Sequence, residues 1–355
     1  MNSRLLPLAM TLLTLAACNG MTGTADSVST GGAKSQFVGE PALETDQTVL
    51  DAALHCTDFT HPDKPAVLLV HGTFTAGREQ YEWNYIPLLS ARGYDVCAVT
   101  YPDRGMVDQQ ISAEYVVNAL RRMHAKTGRK VAMIGHSQGA SMPRWALKWW
   151  PSARDAVDDF ILQAGPSHGT VVSDPTALLS SLGLPIPEGT GASPLLPEGF
   201  YQFSPGSQFI QATNRGDETP GDVDYTSIYT VTDELVQPAL PVPTAALELG
   251  QNNPRVTNVL VQDLCPQQIV DHVTIGTVDA LAFALALDAI EHAGPADPKR
   301  VDTTKVCLNI PIIADPVLAT SGAQALLDIL QSDAATGLPD PHLSSAEPPL
   351  KAYAQ

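Results

Sequence analysis

The chain has 355 residues, of which 44% are apolar and 16% charged, and it carries a formal net charge of -18 at pH 7. This length and apolar share suit one large domain or two modest ones and rule out a globally disordered chain. The acidic balance weighs against nucleic acid and other polyanions as partners and says nothing about fold.

The first residues read as an export signal. Arg4 gives a short positive start, and residues 5–17 (LLPLAMTLLTLAA) form an apolar run too short to span a membrane. The run ends in Leu15-Ala16-Ala17-Cys18. Small residues ahead of a Cys resemble a bacterial lipobox, which implies cleavage before Cys18 and lipidation of its thiol and new amino group. An ordinary signal peptide with an incidental Cys is the plainer alternative. Residues 19–45, rich in Gly, Ser, Thr and Ala without apolar period, are expected as a flexible tether. No internal repeat is evident.

From residue 65 the pattern alternates. Ala66–Val70 is a short apolar run, as in a buried parallel strand, and residues 81–91 suit a helix. Tyr94–Val99 is the second strand. Ile111, Tyr115, Val116, Ala119, Leu120 and Met123 then mark one face of a helix over 111–126, stopped by Gly128. Lys130–Ile134 is a third strand, residues 139–149 a helix and Phe160–Leu162 a fourth strand. Strand and helix in alternation imply an α/β fold, a mostly parallel central sheet with helices on both faces. Residues 171–220 break the alternation with Pro, Gly and Ser and are expected as a lid or insertion walling the site, or as plain surface loop. Strands resume at Ser227–Val231 and Val256–Val261, and residues 273–291 look helical. The domain is thus expected over 46–331, with a poorly ordered tail at 332–355.

Five cysteines are present, at 18, 56, 97, 265 and 307. If Cys18 carries lipid, four remain, which allow three pairings. The sequential choice, Cys56–Cys97 and Cys265–Cys307, closes two loops of about 40 residues, each stabilising by roughly 4 kcal/mol in the chain-entropy model. Free buried thiols are the alternative, less natural in an oxidising compartment.

Chemistry concentrates at Gly135-His136-Ser137-Gln138-Gly139. This G-x-S-x-G lies between a strand and a helix, the setting in which the serine occupies a sharp turn above the sheet edge. Pro143 falls in the first turns of that helix, where it is tolerable. A serine hydroxyl needs a base, and near neutral pH histidine supplies one. In this fold the chain order is Ser, acid, His. His272 follows the last strand and precedes a helix, whereas His292 lies in helix-like sequence and His342 in the tail. Asp233 falls just past strand 227–231. Glu234 is its near rival, Asp217, Asp222 and Asp224 come too early, and Asp271 reads as a solvated loop residue. The backbone N–H groups of Thr73, after the first strand, and of Gln138 are expected to hold the oxyanion. His168 could line the site but precedes the acid. Trp145, Trp149 and Trp150 read as core. Neither zinc spacing nor a glycine-rich phosphate loop is present, and no cofactor is called for.

These segments resemble the α/β-hydrolases of the Candida antarctica lipase B type. The resemblance runs from about Cys56 to Cys307 through PAVLLVHGT (65–73), YIPLLSARGYDVC (85–97), AEYVVNAL (113–120), HSQGA (136–140), WPSARDAVD (150–158), VTDELVQP (231–238) and IVDH (269–272). It implies Ser137, Asp233 and His272 as a triad, Thr73 and Gln138 as the oxyanion hole with the Thr73 side chain taking part, and the pairs Cys56–Cys97 and Cys265–Cys307. Departures are His136, where that family carries a tryptophan shaping the alcohol pocket, and Pro166 and Ser167 in place of polar pocket residues. A further C-terminal cysteine pair is lacking, and the lipid anchor is foreign to the fungal enzymes. The expectation is a monomeric serine carboxylic ester hydrolase, exported and lipid-anchored in the cell envelope, acting on an ester or lipid through an acyl-enzyme. An acyltransferase or polyesterase on the same triad, and a non-catalytic binding lipoprotein, are the alternatives.

Overall fold

Seven strands build the central sheet of the computed structural model, which describes residues 37–173, 196–308, 310–321, 324 and 342–355. The signal segment, Cys18 and the tether up to residue 36 lie outside the described residues. So do 174–195 of the expected lid, 325–331 at the end of the expected domain and 332–341 of the tail. In chain order the strands are β1 (Leu54–Cys56), β2 (Val67–Val70), β3 (Val96–Val99), β4 (Val131–His136), β5 (Val157–Gln163), β6 (Leu196–Pro197), β7 (Asp224–Tyr229), β8 (Val256–Leu260) and β9 (Leu343–Ser344). The sheet order is β1-β3-β2-β4-β5-β7-β8, parallel except for the antiparallel edge strand β1. Strands β6 and β9 pair antiparallel on their own.

The period of two decides which face each strand residue serves. In β2, Leu68 and Val70 join one core with helices α4 (Gln109–Thr127), α5 (Gln138–Trp149) and α6 (Pro151–Arg154), while Val67 and Leu69 join a second core with α2 (Gly77–Tyr81), α3 (Tyr85–Ser90) and the helix Ala280–Glu291. A short α1 (Gln47–Ala52) precedes β1. Each of these side chains is fully buried, contributing roughly 1.5–3 kcal/mol apiece. Helix α4 buries its expected face, with Ile111 half-buried, but also Ala113, Glu114, Val117 and Asn118 on the opposite side; Asp108 at its start and left-handed Gly128 at its end cap it.

Three expectations change. The helix expected at 81–91 is two helices, because Asn84 leaves helical geometry and its side chain caps Tyr85 N–H. The one expected at 273–291 is also split, into His272–Ile275 and Ala280–Glu291, the second capped by Asp279. The ends of the domain reach further than 46 and 331. Glu40 pairs with Arg121 and accepts from Ser152 N–H, and Pro41 accepts from the Trp150 indole, so residues 37–45 are bound to the domain rather than tether. At the other end Glu347 accepts from the first N–H groups of helix Gln208–Asn214, and Tyr353 lies against Trp145, Trp149 and Trp150. The expectation of poor order fails over 342–355 because this segment carries the aromatic ring and carboxylate that cover those elements.

Two disulfides form. Cys56 and Cys97 face each other across β1 and β3, and Cys265 joins Cys307. Beyond β2 the chain turns first to β3 on one side and then to β4 on the other. The sheet therefore has its topological switch point between β2 and β4, at whose carboxyl ends open α/β sheets place their ligands.

Candidate active site

Ser137 occupies that switch point, between the last residue of β4 and the first of α5. Its φ of 55° and ψ of -122° are a strained state for a non-glycine residue. Its N–H donates to Gln163 O of β5 at 2.9 Å, so sheet pairing fixes the turn. The flanking glycines are steric necessities. A Cβ on Gly135 would lie 1.8 Å from the Gly139 carbonyl oxygen, and one on Gly139 would lie 2.2 Å from the Val70 carbonyl oxygen. Pro143 is tolerated inside α5, leaving the Gly139 carbonyl without its helical donor.

His272 opens the short helix His272–Ile275, and Asp233 lies in the loop after β7. The two residues are 4% and 3% exposed. His272 Nε2 stands 2.8 Å from Ser137 Oγ, and its Nδ1 stands 3.0 Å from both Asp233 carboxylate oxygens. Asp233 Oδ1 also accepts from the N–H groups of Leu235 and Val236, at 2.9 and 2.7 Å. Burial works to raise the Asp233 carboxyl, but the facing imidazole and these hydrogen bonds outweigh it and hold it below the usual range. Burial works to depress His272, yet the Asp233 carboxylate prevails and holds the imidazole above its ordinary value. Glu234, the rival acid, accepts instead from the backbone N–H of His272 at 3.0 Å. Asp271 caps the short helix through Thr274 N–H and is exposed.

Thr73 follows β2, and its hydroxyl donates to Gln138 Oε1 at 3.1 Å. The Gln138 amide in turn donates to Gly105 O at 2.8 Å, which turns the side chain away from the serine. Gln138 is the first residue of α5, so its N–H has no acceptor within the helix. His168 does not line the site. Its ring bonds Thr244 O and Glu218, at 3.1 and 2.9 Å, on the network around buried Arg144. Trp145 and Trp150 are fully buried, as expected of core residues.

A cleft of about 330 Å³ opens over Ser137 and His272, with Trp83, Phe200, Phe203, Leu235, Val236 and Val273 among its walls. Phe200 and Phe203 come from the stretch expected as lid or site wall. Gln80 and His71 carry no signal in the sequence, whereas His136 stands where the resembling family has the tryptophan that shapes its pocket. Gln80 and His136 line the cleft, and His71 is stacked on Tyr101 at 3.8 Å behind the Thr73 loop. Burial pushes His136 and His71 each down to about 3, so both rings are neutral. Among the described residues no cluster of His, Cys, Asp and Glu is placed to hold a metal ion.

The sheet order, the switch-point serine and the hydrogen-bonded Ser-His-Asp geometry define an α/β-hydrolase. The model of the family described as Lipase (class 2) matches residues 63–256. Lipase B of Pseudozyma antarctica is 30% identical over 270 residues, which cover 74% of this chain and 73% of that protein. The crystal structure of Aspergillus fumigatus lipase B superposes with a TM-score of 0.73 at 29% identity, covering 90% of this chain and 74% of that one. The chain belongs to the class 2 lipase family and is a carboxylic ester hydrolase. Its two disulfides accord with an exported protein.

Proposed function

We propose that the chain cleaves carboxylic esters with apolar acyl groups through a covalent acyl-enzyme on Ser137. The observation that carries this is the unbroken chain from Ser137 Oγ through His272 to Asp233, at 2.8 and 3.0 Å. As Oγ attacks the ester carbonyl carbon, His272 Nε2 takes its proton, and Asp233 stabilises the imidazolium that forms. The developing oxyanion accepts from the N–H groups of Thr73 and Gln138. The Thr73 hydroxyl becomes a third donor by exchanging Gln138 Oε1 for the oxyanion. His272 then gives its proton to the leaving alcohol oxygen, and water repeats the sequence to release the acid. The aromatic and aliphatic cleft walls favour an apolar acyl chain by removing it from water.

The test is hydrolysis of nitrophenyl esters over a series of acyl lengths. Ser137→Ala is expected to abolish the turnover seen with the wild-type chain, and undiminished turnover would sink the assignment. We also read the N-terminus as a lipoprotein signal, with Cys18 lipidated and the monomeric enzyme held at a membrane of the cell envelope. The apolar run ending in Leu15-Ala16-Ala17-Cys18 supports this reading. Mass spectrometry of the mature N-terminus decides it, since an unmodified Cys18 excludes the anchor.

A further inference from the structure

The two halves of the site reach it from distant places in the sheet. Thr73 follows the central strand β2, whereas His272 follows β8 at the far edge, with β4, β5 and β7 between. A buried chain of hydrogen bonds joins them directly. Gly72 N–H donates to Gln80 Oε1 at 2.9 Å, Gln80 Nε2 meets His136 Nδ1 at 3.2 Å, and His136 Nε2 meets the carbonyl oxygen of His272 at 2.7 Å.

The two ends of this chain settle every proton within it. A backbone N–H can only donate, so it takes the Gln80 oxygen and turns the amide nitrogen toward His136. That nitrogen can only donate, so His136 Nδ1 accepts. The carbonyl of His272 can only accept, so His136 Nε2 carries the hydrogen. A second ring proton would face the Gln80 amide hydrogens. The main chain leaves room for the ring, since a Cβ on Gly276 would fall 2.0 Å from His136 Cδ2. The titratable groups around the ring are His272, at 5.0 Å between ring centroids, together with Asp233 and His71.

We propose that His136, acting with Gln80, is a positioning residue that ties the loop bearing Thr73 to the main chain of His272, fixing the oxyanion donors relative to the base. The proposal rests on the roles given above to Ser137, His272 and Thr73. The tie arises from the strand that delivers Ser137, so one rigid element sets the serine, the base and the oxyanion loop together. Its ring must stay uncharged, because a second imidazolium beside His272 would oppose the one formed in the reaction.

Two measurements on the full chain test it. Nitrogen NMR of labelled histidines, with His136 assigned in the wild-type chain by through-bond correlation to its own backbone, should show the Nε2–H tautomer without titration from about pH 5 to 9. In Gln80→Glu, which sets a carboxylate opposite Nδ1, the same ring should gain a titration in that window. An Nδ1–H tautomer, a titrating wild-type ring or an unresponsive Gln80→Glu variant would each overturn the tie, whatever the catalytic role of Ser137. In kinetics, His136→Phe and Gln80→Met should each lower kcat about 10- to 100-fold with KM little changed. The double variant should be no worse than the worse single one, because both act through one chain. Multiplying losses, or a loss confined to KM, would refute it. Stoichiometric labelling by a fluorophosphonate identifies folded variants, and if they fail to fold the NMR result decides alone.

Discussion

Ser137 holds a backbone state it would not choose, and the surrounding contacts show what sustains it. Sheet pairing to Gln163 and two glycines that cannot bear a side chain leave the turn no alternative. The same over-determination applies to His272, whose ring is gripped by Asp233 at one nitrogen and whose main chain is held by Glu234 and His136. Asp233→Asn should therefore keep the fold and lower kcat about 10⁴-fold, the cost known for losing the carboxylate that sets the tautomer. It should also move the acidic limb of kcat/KM to lower pH. The carboxylate is what holds His272 above its ordinary value, and burial alone depresses it. An unmoved limb in a pH series with a nitrophenyl ester would contradict the pairing. Ser137, Asp233 and His272 are legible in sequence because Ser137 and Asp233 sit just beyond recognisable strands and His272 follows the last strand, in a fixed chain order. Gln80 carries no such mark. It is one polar residue in a five-residue helix, and its meaning appears only when β4 brings His136 beside it.

At the scale of elements, β2, β3, β4 and β5 show clearly in sequence because both faces of the sheet are covered and each carries an apolar run, whereas β7 and β8 interleave Thr, Ser and Asn with their apolar residues. β1 does not show in this way, being three residues long, with His55 and Cys56 exposed, and held by its disulfide to β3. The helix breaks at Asn84 and Gly276 were hidden because the apolar period continues across them, and one of them exists to admit His136. The other end of the sheet carries a feature no pattern announces. Asp159 of β5 lies in register with Asp224 of β7, and it is buried. Burial first, and then Asp158 and Asp224, push its carboxyl up to about 8. A folded value raised above the unfolded one means full stability below about pH 4, lost progressively as pH rises through 8. Asp159→Asn removes that loss. Thermal melts should show little change near pH 4 and a gain on the order of a few kcal/mol at pH 8, and a destabilised variant at pH 8 would show that the carboxylate is usefully paired.

At the scale of the molecule, an apolar cleft is set in a chain of net charge -18. The long-range field opposes anionic substrates while leaving neutral esters untouched. An ester bearing a distal carboxylate should thus show a lower kcat/KM than its neutral analogue, with a gap that narrows as salt rises from about 0.01 M to about 1 M and the Debye length falls from about 30 Å to about 3 Å. A gap independent of salt would assign the discrimination to the cleft walls instead. The same field helps a released carboxylate product leave. Composition made this balance readable at once, but not the ends of the domain. Residues 37–45 and 342–355 have a linker's composition, yet they carry groups, Glu40, Glu347 and Tyr353 among them, that fasten them to α4–α6 and the helix Gln208–Asn214.

The aromatic cluster beneath that C-terminal segment has an optical consequence. Of the four tryptophans, Trp145, Trp149 and Trp150 share contact with Tyr353, while Trp83 stands alone in the wall of the cleft. Intrinsic emission is therefore divided by location. One population reports whether residues 342–355 are docked on the helix that follows Ser137, and a single indole reports what occupies the cleft. A Trp83→Phe variant removes the cleft signal and leaves the docking one, so the difference between wild type and variant isolates the binding probe without a label.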